Sequence, residues 1–178
     1  MITRIVTDNQ RGLCRLHYRR ISAPANLPGL SEVFSRLESA SILGGNDARD
    51  QTVRFSYWAA QPKEVFTFET GQKNPFVSLD QALNKYTLGK DYKNIPPKKL
   101  FCGGWVGFFS YELGRYIEKL PETTVDDLGM PLIRLCFYDR LIAYDHIEQN
   151  FWLIALQLQD ETETPEDKLT ALEDLLAE

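Results

Sequence analysis

Residues 102–131, CGGWVGFFSYELGRYIEKLPETTVDDLGMP, restrict the fold more than any other part of the chain. Gly103 and Gly104 open an apolar run, Trp105, Val106, Gly107, Phe108 and Phe109. The run is too short and too aromatic for a free-standing helix and suits a buried strand. A glycine inside such a strand lets a second backbone come close. Ser110 then offers a side-chain oxygen to the first amides of a helix, with Glu112 in the turn where the dipole favours a carboxylate, and Lys119 where it favours a cation. Pro121 stops that helix.

The runs after this stretch read as sheet. Leu132, Ile133, Leu135, Phe137 and Tyr138 lead through Asp139 and Arg140 into Leu141, Ile142, Ala143 and Tyr144, and a turn at 145–150 precedes Phe151, Trp152, Leu153, Ile154, Ala155 and Leu156. Adjacent antiparallel strands of a buried sheet are expected, with Asp145 and His146 as turn residues, since strand neighbours face opposite ways and cannot hand a proton between them. Upstream, Ile2, Ile5 and Val6 with Leu13, Leu16, Tyr18 and Ile21 suggest a hairpin carrying His17 as a surface residue. A second hairpin is expected where Val53, Phe55 and Tyr57 face Val65, Phe66 and Phe68 across Gln61, Pro62 and Lys63, with Trp58 packed on it.

Three further helices follow from caps and periodicity. Ser31 caps one that ends near Glu38, and Ser78 with Gln81 forms a capping box for one over 79–88. Thr164 with Pro165 starts the last, whose apolar face is Leu169, Leu172, Leu175 and Leu176. Segment 39–51 and the basic segment 90–99 read as loops. The sum is an α+β domain whose antiparallel sheets pack as a sandwich with a few peripheral helices, a single domain over 1–178.

Composition narrows the function. With 43% hydrophobic residues the chain suits a soluble domain, and a net charge of −5 provides no field for a phosphate backbone, so nucleic acid is not an expected partner. Cys14, Cys102 and Cys136 are odd in number and widely spaced, which argues against disulfides and a zinc site and for a reducing cytoplasm. The opening MITRIVTDNQ lacks an apolar signal core, and no run approaches the roughly 20 apolar residues that cross a bilayer, so no membrane role is expected. The GGxxG of Gly103, Gly104 and Gly107 lacks the spacing and lysine of a phosphate loop. Glu112 and Glu118, six apart, point in different directions and do not form an acid and base, and no catalytic or metal-ligating set stands out.

The residues from Gly103 to Pro121 resemble the GG-x-x-G-x-x-x-Y-[DE]-x-x-R-x-x-E-x-L-P segment of the chorismate-utilising enzymes, the large components of anthranilate synthase and aminodeoxychorismate synthase. Asp126, Asp127, Leu128, Gly129, Met130 and Pro131 are similar to that family's linking loop, and Tyr138, Asp139, Asp145 and His146 to its YD…DH strand pair. Leu37, Glu38 and Ser39, then Arg54, Phe55 and Ser56, look like degenerate forms of its LLES and GRYSFIG elements, with Arg36 standing where the family has a leucine.

The resemblance implies the N-terminal domain of component I, with the chorismate and Mg2+ sites in a larger C-terminal domain absent from this chain, and a glutamine amidotransferase subunit as ammonia donor. It also implies an amino-acid pocket that takes tryptophan, for which Glu38, Ser39, Arg54 and Ser56 are the candidate residues. Glu38 and Ser39 that merely end a helix remain the alternative. The form of 110–115 leans to aminodeoxychorismate synthase, making 4-amino-4-deoxychorismate for 4-aminobenzoate and folate. Anthranilate synthase, serving tryptophan biosynthesis, is the alternative, and a non-catalytic scaffold or tryptophan-binding module is the alternative of another class.

Overall fold

A computed structural model of the chain describes residues 12–44, 54–88, 99–119, 128–159 and 161–178. In chain order the elements are β1 (Gly12–Ile21), α1 (Leu27–Ser35), β2 (Ser41–Leu43), β3 (Phe55–Ala59), β4 (Glu64–Phe68), α2 (Pro75–Leu83), β5 (Tyr86–Leu88), β6 (Gly104–Phe109), a 3-10 helix (Tyr111–Tyr116), β7 (Ile133–Tyr138), β8 (Arg140–Asp145), β9 (Asn150–Gln157) and α3 (Pro165–Ala177). A six-stranded sheet has the order β2-β3-β8-β9-β1-β5 and a three-stranded sheet the order β4-β7-β6. The β1–β5 pairing is parallel and the other described pairings are antiparallel.

The two sheets pack face to face. Cys136, Tyr138 and Val106 of the small sheet meet Phe55, Ala59, Leu141, Ala143, Trp152 and Ile154 of the large one. The opposite face of the large sheet, carrying Trp58, Ile142, Tyr144, Phe151, Leu153 and Ala155, is covered by Leu30 and Phe34 of α1 and Leu169 and Leu172 of α3. Strands β8 and β9 are therefore buried on both faces, which explains apolar runs without alternation. The outer face of the small sheet packs on Leu113 of the 3-10 helix and Leu79 of α2.

The α+β sandwich agrees with the expectation, as do strand β6 and the cap of the helix after it: Glu112 N donates to Ser110 Oγ at 3.3 Å. That helix is a six-residue 3-10 segment rather than an α-helix running to Pro121, which lies outside the described residues. Gly107 has the close approach its position predicts, since a Cβ there would lie 1.9 Å from the Arg134 carbonyl oxygen. On α3, Asp167 N donates to Thr164 Oγ1 and Thr164 N to Asp167 Oδ2, each at 3.1 Å, so the cap is a reciprocal one.

Several local expectations are corrected. No hairpin joins β3 to β4. Gln61 N donates to the Glu38 carbonyl and Lys63 N to the Phe137 carbonyl, so the turn between them carries the chain from the large sheet to the small one. Trp58 packs under α1, its Nε1 donating to Ser31 Oγ at 2.9 Å. Likewise β7 and β8 are not neighbours, because the chain changes sheet at Asp139.

Helix α1 begins at Leu27 on an Asn26 cap, not at Ser31, and ends at Ser35, before Glu38. Helix α2 runs over Pro75–Leu83, with Ser78 inside its first turn rather than capping it. Tyr86 and Leu88, expected at the end of that helix, form β5 beside β1, because Asn84 Nδ2 donates to the Asp80 carbonyl and closes the helix first. The first half of the proposed opening hairpin lies outside the described residues, as do 45–51 and 90–98 of the two proposed loops, whereas 41–43 forms β2. His17 is half-buried rather than a plain surface residue, and its Nε2 is enclosed. Among the described residues no helix is long and apolar enough to cross a membrane.

Candidate functional site

The four candidate pocket residues fall into two groups at opposite ends of β2. Register pairs Ser41 with Ala59 and Leu43 with Tyr57, so Ser39 lies beyond one end and Ser56 opposite the other, roughly 15 Å apart at strand spacing. The structure does not bring the two groups together.

The first group surrounds Ser39, whose backbone takes a positive φ of 49°. The Ser39 hydroxyl accepts from Arg134 Nη2 at 3.2 Å, and its carbonyl accepts from the Tyr138 hydroxyl, which also lies 2.8 Å from Ser41 Oγ. Burial pushes the Tyr138 phenol up to about 12, so it is a permanent donor or acceptor and not a base. Glu38 is exposed, and its carbonyl accepts from Gln61 N at 2.8 Å. An exposed carboxylate next to a serine held by a half-buried guanidinium has the polarity that an ammonium and a carboxylate require.

The second group is closed on itself. Arg54 Nη2 donates to Asp145 Oδ2 at 2.8 Å and Nε to the same oxygen at 3.1 Å, while Asp145 Oδ1 accepts from the amides of Ile147 and Glu148. Burial alone would raise the Asp145 carboxyl, but Arg54 and the two amides outweigh it and hold it below its ordinary 3.8. Ser56, 2% exposed, lies 2.7 Å from His146 Nε2. Gly44 is tight against it, since a Cβ there would meet Ser56 Oγ at 2.6 Å. Asp145 does end a strand into a turn, as its carboxylate bonds to the turn amides suggest. Arg54 and Ser56 thus hold the β3–β8 end together.

A third polar cluster was not foreseen as a unit. Lys168 of α3 is fully buried, and its Nζ donates to Asp139 Oδ2 at 2.6 Å, Glu161 Oε2 at 2.6 Å and the Leu156 carbonyl at 2.8 Å. Arg140 reaches Asp139 and Glu163, and Lys63 donates to Glu161 at 2.6 Å. Asp139, Glu161 and Glu163 could each direct one oxygen at a cation. Lys168 already holds two of these carboxylates and Arg140 the third, and with Lys63 three cations balance the three, so the set does not fit Mg2+. The signal in sequence was a charged pair, Asp139 and Arg140, inside an apolar run, and a lysine next to the apolar stripe of α3. Among the described residues no nucleophile and base are assembled over open space.

The family of chorismate binding enzymes matches residues 45–177. The chain is 41% identical over 136 residues to anthranilate synthase component 1 of Acetivibrio thermocellus, covering 68% of this chain and 27% of that protein. It is 40% identical over 75 residues to aminodeoxychorismate synthase component 1 of Bacillus subtilis (strain 168), covering 42% of this chain and 16% of that protein. The crystal structure of anthranilate synthase component I from Streptococcus pneumoniae TIGR4 superposes with a TM-score of 0.56 at 23% identity, over 82% of this chain and 34% of that one, a likeness of fold. The chain spans about a quarter or less of the curated relatives it matches.

Proposed function

Because the chain belongs to the family of chorismate binding enzymes, we propose that it is the N-terminal domain of the large component of a chorismate-aminating enzyme. The intact protein adds ammonia from a glutamine amidotransferase subunit to chorismate in the cytoplasm, at an Mg2+ site in a C-terminal domain outside this chain. The observation that carries this reading is a match over 68% of this chain that accounts for only 27% of its relative. Within the domain, the Ser39 group is the amino-acid pocket: Glu38 accepts the ammonium of tryptophan, and Arg134, rather than Arg54, faces its carboxylate.

Two products are in play. The longer match, to an anthranilate synthase, favours anthranilate. The form of Ser110, Tyr111, Glu112, Leu113, Gly114 and Arg115 favours 4-amino-4-deoxychorismate. The whole open reading frame, expressed and given chorismate, ammonia and Mg2+, decides between them. Blue-fluorescent anthranilate supports the first, and 4-aminobenzoate formed only after a separate lyase is added supports the second. If neither appears, the assignment as an aminating enzyme fails. Calorimetry with tryptophan tests the pocket: Glu38→Ala and Ser39→Ala should each abolish binding, and unchanged affinity in both sinks it.

A further inference from the structure

The 3-10 helix Tyr111–Tyr116 is apolar on two of its three faces. Three residues per turn set side chains three apart in one row. Leu113 and Tyr116 form the row that faces inward: Leu113 is buried, and Tyr116 meets Phe68 edge-on with centroids 5.6 Å apart. Glu112 and Arg115, continued by Glu118, form the polar row. The remaining row is Tyr111, Gly114 and Ile117, with Tyr111 85% and Ile117 74% exposed. A surface helix carries one apolar stripe toward its core and polar residues opposite. Here a second apolar row has nothing to pack on among the described residues.

Neighbouring side chains extend this row into a patch. Phe109, the last residue of β6, is 54% exposed. The Ser110 amide donates to the Leu132 carbonyl at 2.8 Å, which holds Leu128, 75% exposed, and Met130, 49% exposed, at the same end of the small sheet. At ~200 Å² for a free aromatic side chain, these exposures amount to on the order of 500 Å², near the top of what a monomer shows and the mark of an interaction surface. An apolar centre with a polar row at its rim is the composition of a permanently buried interface. We propose, resting on the reading of this chain as an N-terminal domain, that the patch is covered by the C-terminal domain of the same protein, which meets it with an uncharged apolar surface. The chain accounts for 27% of its Acetivibrio thermocellus relative and 34% of the structurally similar Streptococcus pneumoniae chain, so the larger part of such proteins lies outside it. A domain on the same polypeptide is held at an effective concentration on the order of millimolar, and so covers the patch ahead of the amidotransferase subunit or a second copy.

The test is maleimide labelling of the whole protein, expressed from the full open reading frame as Tyr111→Cys and, separately, as Ile117→Cys, with each modified position identified by peptide mass. Both side chains point away from the core of this domain, so each variant keeps the fold. Cys14 and Cys136 are buried and the Cys102 thiol is raised to about 11, so these label slowly. In the native whole protein each introduced thiol should react at least about tenfold more slowly than in the urea-unfolded protein, whereas in the 178-residue chain it should react at close to the unfolded rate. Ile117→Lys combined with Tyr111→Cys should restore fast labelling in the whole protein by placing a charge in the apolar contact. Near-unfolded rates in the native whole protein overturn the proposal, as do slow labelling of the 178-residue chain and slow labelling of the double variant. Protection that disappears on dilution, as contact with a second copy would, or that appears only when the amidotransferase is added, overturns it too. The same preparation, given chorismate, ammonia and Mg2+, tests the reading beneath: product with an unprotected thiol sinks the docking alone, and protection without product sinks the aminating assignment alone.

Discussion

Replacing Lys168 by Met should destabilise the fold at neutral pH and do so less in acid. The Lys168 side chain is 0% exposed, and its partners Asp139 and Glu161 are 2% and 4% exposed. Its three donors meet three acceptors, the two carboxylates and the Leu156 carbonyl. Methionine keeps the length and apolar stem but strands these acceptors. Removing one partner of a buried ion pair costs about 3–5 kcal/mol. Arg140 stays with Asp139 and Lys63 with Glu161, which argues for the lower end, about 3 kcal/mol. At 2–4 °C per kcal/mol for a domain of this size, Tm should fall by roughly 6–12 °C.

The pH dependence of that loss has a definite sign. Burial alone would raise the Glu161 carboxyl, but hydrogen bonds from Lys168, Lys63 and the Leu158 amide outweigh it and hold it below its ordinary 4.5. A carboxyl so lowered stabilises the fold fully above its unfolded value and ceases to as pH falls through its folded value. In the variant, acid protonates the stranded Glu161 carboxylate and removes its buried charge. Urea unfolding from pH 7 to pH 4 should therefore show the gap between the two proteins narrowing below about pH 4.5. A gap under about 1 kcal/mol at pH 7, the size of a surface pair, or one constant over the whole range, would refute the reasoning.

Gly107→Ala should split the β6–β7 pair, because its Cβ would lie 1.9 Å from the Arg134 carbonyl oxygen, a backbone atom. The cost is about 3 kcal/mol or more, read from the urea midpoint, and an unchanged midpoint would contradict the close approach. Arg54→Met should lower Tm at pH 7, with the difference disappearing as pH falls below the ordinary aspartate value of 3.8, since Asp145 is stabilised in its ionised form. A difference that grows in acid would reverse that assignment. Thr164→Ala should cost about 1 kcal/mol through the lost cap of α3, measured by thermal melting. Burial raises the Cys102 thiol from 9.0 to about 11, so its thiolate fraction at pH 8 is about 100-fold lower and iodoacetamide should label it correspondingly slowly.

What was legible in the sequence was local chemistry. Gly107 in an aromatic run announced a close backbone, Ser110 a cap, Thr164 with Pro165 the start of α3, and the unbroken apolar runs of β8 and β9 a buried sheet. Each depends on a few consecutive residues, so each survives whatever the rest of the chain does. The specificity of 103–121 added the family, which the match over 45–177 supports.

Apart from the β8–β9 pair, which the turn at 145–150 announced, tertiary structure decided which strands are neighbours. The β3–β4 and β7–β8 connections look like hairpins because turn chemistry and alternation are the same for a strand that pairs back and one that crosses to a facing sheet. The partner is chosen by burial of the second face, and here the turn amides of Gln61 and Lys63 bond to Glu38 and Phe137, which no local pattern announces. The same holds for charge. Nothing local to Asp139, Glu161 or Lys168 names the others as partners, and only the corner between the sheets, capped by α3, removes them from water and makes them one network. For the same reason Arg54, which carries the right charge for a ligand carboxylate, serves Asp145 instead, while Arg134, unremarked in sequence, stands beside Ser39. A side chain's type is written in the sequence, but the competitor that claims its charge is set by distances across the folded chain.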